Sequence, residues 1–157
     1  MQILGSRGGR FFLFLLLLAI AVPALIAYLL WGLALHLAVW LRWCPRGKNV
    51  LFVYSHSPLW HDYLERRLLP RLAAHAVVLN WSARKEWERR FSLPALVFSY
   101  FGGRREFNPL AVVFRPWRRA KTFRFWQPFQ DLKHGNSDAL EKMGKDLLRD
   151  IDSLPKN

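Results

Sequence analysis

Hydrophobic positions fall along this chain in two regimes. From Phe11 to Leu41 the sequence holds no Asp, Glu, Lys or Arg, whereas from Arg42 onward short apolar runs alternate with strongly basic stretches. The first run exceeds the about 20 apolar residues that a bilayer-crossing helix requires. It predicts a transmembrane or re-entrant anchor over 11–41, preceded by a basic tail over 1–10. As one straight helix it extends roughly 46 Å at ~1.5 Å per residue, more than the ~30 Å of a hydrocarbon core. The excess has two solutions. In one, a span over about Phe11 to Trp31 continues as an interfacial helix from Gly32 to Trp43, with Trp31, Trp40 and Trp43 suited to an aromatic belt. In the other, Pro23 removes a helical hydrogen bond and bends the run into a re-entrant hairpin. The single span is the favoured reading. A cleaved secretory signal shares the basic start at Arg7 and Arg10, but its apolar core ends after ~7–15 residues. Here apolar sequence continues far past the small residues at 19–24. His36, inside the run, reads as a neutral imidazole near an interface.

Residues 42–49 form a short polar linker, and 50–157 one small domain. Val50 to Tyr54, VLFVY, is a near-continuous apolar run of the kind a strand buried on both faces requires. Ser57 and Pro58 supply a cap and first-turn proline for a helix running to about Ala73, with Trp60, Leu64 and Leu68 on one side and Pro70 kinking or ending it. Ala76 to Trp81 predicts the second strand. A charged helix beginning at Ser82 and an apolar one from Pro94 to Phe101 follow, the latter closed by Gly102-Gly103. Leu110 to Phe114 predicts the third strand. Lys121 to Trp126 predicts the fourth, alternating Phe123 and Phe125 against Arg124 and joined to the third as an antiparallel hairpin. Asn136 or Ser137 caps a last amphipathic helix that aligns Leu140, Met143, Leu147 and Ile151.

The predicted order, β-α-β-α-β-β-α, defines an α/β domain with a mixed sheet. It resembles the order of thioredoxin-like domains, which also carry a proline before the third strand, where this chain has Asn108-Pro109. The resemblance is one of topology and implies that fold alone. The paired cysteines that perform thiol-disulfide exchange after the first strand are absent, so it implies no redox chemistry there.

Charge narrows the partners. Lys and Arg number 24 against 11 acids, for a net +13, and only Arg7 and Arg10 precede the apolar run. Such a field attracts phospholipid headgroups or nucleic acid, and an anchor that already holds the domain near headgroups favours lipid. The lone cysteine, Cys44, excludes an internal disulfide and a thiolate metal cluster. A domain without disulfides fits the cytoplasmic side of an integral membrane protein. No cofactor and no metal are expected.

Two segments carry candidate chemistry. Ligands in open α/β sheets gather beyond the carboxyl ends of strands, where Ser55, His56, Ser57, His61 and Asp62 cluster. They offer a serine beside a base, or histidine and aspartate for a metal. No GxSxG, HExxH or CxxC accompanies them, and helix capping explains Ser57-Pro58 equally. The more distinctive segment is 104–129, where Arg104, Arg105, Arg115, Arg118, Arg119, Lys121 and Arg124 interleave with aromatics including Trp117. Cations mixed with amphipathic rings suit a headgroup interface, although stacking on single-stranded nucleic acid uses the same mixture. Gly102-Gly103-Arg104-Arg105 lacks the spacing of a phosphate loop and follows a helix instead of preceding one. Asn80-Trp81-Ser82 matches a glycosylation pattern but overlaps a strand end. The chain therefore reads as a membrane-anchored, non-enzymatic adaptor that docks a protein partner, in particular a membrane protein, or anionic headgroups. The alternative is a membrane-associated enzyme working at Ser55–Asp62; a nucleic-acid binder ranks third.

Overall fold

A computed structural model describes residues 7–58, 60–88, 92–103, 108–116 and 118–154. The chain divides into two compact units, Met1–Ala34 and Leu35–Asn157. Helix α1 (Arg7–Arg42) makes up the described part of the first and runs on into the second. It passes through Pro23 without interruption, so the bend of the hairpin alternative is not formed. In the first unit Phe11, Phe12, Phe14, Leu25, Leu29, Leu30 and Trp31 are all exposed. By length and composition this helix is apolar enough to cross a membrane.

The second unit is mixed α/β around a four-stranded sheet. Its strands are β1 (Val50–Tyr54), β2 (Ala76–Asn80), β3 (Leu110–Val113) and β4 (Lys121–Arg124), in the order β2-β1-β3-β4. β1 pairs parallel to β2 and antiparallel to β3, which pairs antiparallel to β4. Alternation along β1 explains why nearly every residue of VLFVY is apolar. Val50 and Phe52 point to one face with Ala111, Val113 and Phe123, and Leu51 and Val53 to the other with Leu110 and Val112. Across the first face the register places Ala111 between Phe52 and Phe123. Directly opposed Cβ atoms lie only ~4.5–5.5 Å apart, so a small residue there makes room for two rings.

Helices cover both faces. On the first lie α2 (residues 61–72), through Leu64, Leu68 and Leu72, and α6 (Asp138–Asp152), through Leu140, Leu147 and Ile151. On the second lie the end of α1, through Leu35 and Val39, with Trp43 just beyond it, and α4 (Leu93–Phe101), through Val97 and Phe98. The short α3 (Arg84–Glu88) follows β2. His36 packs edge-on against Trp40 and against Phe114 of this second cluster, with ring centroids at 4.8 and 5.2 Å.

Several boundaries depart from the sequence pattern for identifiable reasons. α2 begins at His61, and Ser57 takes part with its carbonyl, accepting the His61 N–H at 3.1 Å, while no side-chain cap forms among the described residues. Pro70 does not end α2. The segment Leu64–Leu68 widens into a π-helical turn before it, which absorbs the missing N–H and the ring's clash with the preceding turn. The fourth strand stops at Arg124, and an additional helix, α5 (Trp126–Lys133), follows. Pro128 falls in its first turn, where a missing N–H costs nothing. At α6 the capping group is the Asn136 side chain, whose Oδ1 accepts the Asp138 N–H at 3.1 Å. α4 ends at Phe101, and Gly103 adopts φ of 82° to stop it. The Asn108-Pro109 peptide is cis.

Candidate functional site

The turn beyond β1 is a network of neutral hydrogen bonds. The Ser55 hydroxyl donates to Asn108 Oδ1 at 2.8 Å, and the Ser55 carbonyl accepts Trp60 Nε1–H at 2.9 Å. β1 and the start of β3 are sheet neighbours, which is why residues so distant in sequence meet here. An activated serine needs a base within hydrogen-bond reach. Asn108 Oδ1 is an amide oxygen and takes no proton at ordinary pH.

His56 is held from β2. Asn80 Oδ1 accepts the Ser82 N–H at 2.9 Å, which turns the Asn80 NH2 group toward His56 Nε2, 2.7 Å away. Asn80 therefore donates and Nε2 accepts, so the proton of neutral His56 resides on Nδ1. The Ser82 hydroxyl accepts the His56 backbone N–H at 3.1 Å and fixes the turn. A metal at Nδ1 would need that proton moved to Nε2, against the Asn80 donor. His61 stands with its ring centroid 6.2 Å from that of His56, and its Nδ1 lies 3.4 Å from Glu65 one helical turn on. Asp62 faces Arg66 at 3.7 Å, both exposed, a pair of little energetic weight. The structure thus brings His56 and His61 together and points Asp62 away along α2. Among the described residues no three His, Cys, Asp or Glu side chains converge to hold a metal ion.

The basic hairpin is organised by an acid that its own sequence does not contain. Asp150 of α6 is buried, its side chain 10 % exposed, and Arg115 Nη2 lies 2.8 Å from its Oδ1. Lys121 Nζ lies 3.1 Å from Oδ2. Among the described residues that oxygen has no aligned hydrogen-bond donor, so Lys121 acts on it as a charge. Arg115 Nη2 also donates to Ser153 Oγ at 3.0 Å, and Ser153 Oγ donates to the Asp150 carbonyl at 2.7 Å. Arg115 is thereby placed at the carboxyl end of α6, where a cation is favoured. The loop between β3 and β4 is a turn in which Arg118 N–H donates to the Arg115 carbonyl at 3.3 Å, with Pro116 at the position turns favour for proline.

The seven cations and one tryptophan that the sequence singled out therefore divide by partner. Arg115 and Lys121 are tied to Asp150. Arg124 is exposed, with Nη2 3.4 Å from the Gly102 carbonyl. Arg118 and Arg119 are exposed and, among the described residues, face no acid within ion-pair distance. Arg104, Arg105 and Trp117 lie outside the described residues. A cleft of about 360 Å³ opens beside the turn, lined by Arg115, Pro116, Arg118, Ser153 and Leu154. Asn80, Ser82, Asn108, Asp150 and Ser153, which shape both regions, carry no signal in the sequence for the contacts they make here. Comparison of the chain with models of protein families, with curated proteins and with solved structures finds no match.

Proposed function

We propose that this protein is a membrane-anchored, non-enzymatic docking domain whose basic hairpin engages anionic lipid headgroups. The N-terminal part of α1 serves as a single-pass anchor, and the domain stands on the cytoplasmic side, where anionic phospholipids concentrate. The domain takes a thioredoxin-like arrangement, a reading supported by the strand order, the three pairing senses and the proline that precedes β3. In that arrangement Ser55 to Pro58 occupy the turn where paired cysteines would act, and a hydroxyl bonded to an amide replaces thiol chemistry.

The observation that carries the docking reading is the unpaired state, among the described residues, of Arg118 and Arg119 at the tip of a hairpin in which Arg115 and Lys121 are held by Asp150. Cations without internal partners are available to an external anion. The test uses the full chain in zwitterionic nanodiscs, immobilised and exposed to vesicles. Vesicles containing phosphatidylserine should bind, and phosphatidylcholine vesicles should not. Replacing Arg118 and Arg119 by Gln should weaken binding about thirtyfold, at ~1 kcal/mol for each surface cation. Raising salt should weaken it as well, since exposed charges are screened over about 8–10 Å. Equal binding to both vesicles, or no effect of the double substitution, refutes the reading. Extraction of the protein from native membranes by alkaline carbonate would separately refute the anchor.

A further inference from the structure

We propose that the cleft beside the hairpin turn is a binding site for a phosphate group, presented by a lipid headgroup or by a soluble phosphomonoester. The proposal rests on the hairpin's reading as an anion-docking element and turns a diffuse field into a defined site.

Size, wall chemistry and preorganisation support it together. At about 360 Å³ the cleft falls within the range of small-ligand sites. Its lining combines two cations, Arg115 and Arg118, with the apolar Pro116 and Leu154. A phosphate with a carbon substituent matches both kinds of lining. Arg115 is fixed before any ligand arrives. Its contacts with Asp150 and Ser153 all leave from Nη2, and Nε is buried, so Nη1 is the nitrogen of this rigid guanidinium left to meet an oxyanion. An N–H bond from this guanidinium to an oxyanion is charge-assisted, the stronger class of hydrogen bond.

Arg118 is set by the turn itself. Its N–H bond to the Arg115 carbonyl, with Pro116 between, brings the two arginines onto one short loop. Nearby acids do not cancel the pair. Asp150 is already shared between Arg115 and Lys121, and Asp152 is exposed at the end of α6. The carbonyls at that helix end would repel an anion, but the Asp150 carbonyl is covered by Ser153 Oγ, so the hydroxyl screens the site and does not itself donate to the ligand.

The full chain in neutral detergent micelles, titrated with dihexanoyl phosphatidic acid, tests this by calorimetry. Saturable one-to-one binding is expected, with dihexanoyl phosphatidylcholine inert. Inorganic phosphate is the second arm. Competition at similar concentration assigns the site to soluble phosphates, and failure to compete assigns it to headgroups whose carbon part uses the apolar lining. The decisive variants are Ser153→Glu and Lys142→Gln, which lower the net charge equally. Lys142 is exposed on α6 and does not line the cleft. Ser153→Glu places a carboxylate in the cleft and should weaken binding about ten- to a hundredfold, the loss expected when charge-assisted hydrogen bonds are blocked. Lys142→Gln should change it less than about twofold, as an exposed charge outside the site. Should Ser153→Glu lower the melting temperature, Pro116→Glu at the exposed turn takes its place. Equal weakening by both substitutions, or no saturable binding, overturns the site. Loss of vesicle binding on replacing Arg118 and Arg119, with Ser153→Glu silent, overturns the cleft and leaves the docking reading standing.

Discussion

Replacing Asp150 by Asn tests whether the hairpin is a clamped element or a loose basic loop. The carboxylate is nine-tenths buried and takes Arg115 at 2.8 Å and Lys121 at 3.1 Å. Removing one partner of a buried pair costs about 3–5 kcal/mol, because the remaining charge is stranded away from water. Here the stranding is incomplete. Arg115 is 24 % exposed and Lys121 55 % exposed, so water reaches part of the released charge. Asn also keeps an oxygen that can accept from Arg115. A loss of about 2–3 kcal/mol is therefore expected, close to the lower end of the buried range. For a domain of this size that corresponds to roughly 8–15 °C in melting temperature.

Near-UV circular dichroism melts of the full chain in neutral detergent measure it. Asp152→Asn removes the same charge from an exposed position two residues on and should shift the melt by less than about 2 °C, as surface substitutions do. Arg115→Ala and Asp150→Ala should show strong coupling in a double-mutant cycle, since both remove the same contact. An Asp150→Asn melt within about 2 °C of the parent, or equal effects of Asp150→Asn and Asp152→Asn, would refute the clamp.

Three further outcomes follow from side chains with defined surroundings. A Cβ on Gly144 would lie 2.6 Å from Tyr63 Oη, so Gly144→Ala should destabilise by about 1 kcal/mol through overpacking. The same change should stabilise by up to about 1 kcal/mol in a Tyr63→Phe background, where only the helix propensity of Ala remains; the same sign in both backgrounds would count against this packing. Burial pushes the Tyr63 phenol above its ordinary value of 10.0, outweighing the nearby Arg67. The fold thus favours the neutral phenol, so its contribution is intact below pH ~10 and lost as pH rises through the folded-state value. Urea titrations from pH 9 upward should show a steeper decline for the parent than for Tyr63→Phe. Long-range nitrogen-proton spectra at pH 8 should find His56 as the Nδ1–H tautomer, and an Nε2–H signal would contradict the Asn80 donor.

Elements with a strong period were legible in the sequence, and those whose signals overlap were not. VLFVY reads as a buried strand because both of its faces are covered, and the apolar stripe of α6 appears wherever a 3.6-residue period is sought. The helix α5 was hidden because Phe123 and Phe125 carry a strand-like alternation straight into it, while Pro128, its one first-turn cue, also suits a loop. The turn beyond β1 was visible as a cluster of polar types, but its chemistry was not. What decides the state of Ser55 and His56 is Asn108 and Asn80, brought in by strand pairing. The hairpin shows the same limit in charge. Counted along the chain, Arg115, Arg118, Arg119 and Lys121 are four equivalent cations. In the fold Arg115 and Lys121 meet Asp150, a residue 35 positions beyond Arg115, and become part of the framework. Net charge is therefore a poor guide to available charge. Long-range attraction depends on the sum, but contact with an anion depends on cations that the fold leaves without a partner. Arg118 and Arg119 should consequently dominate docking, with Arg115 contributing through the position it holds as much as through its charge.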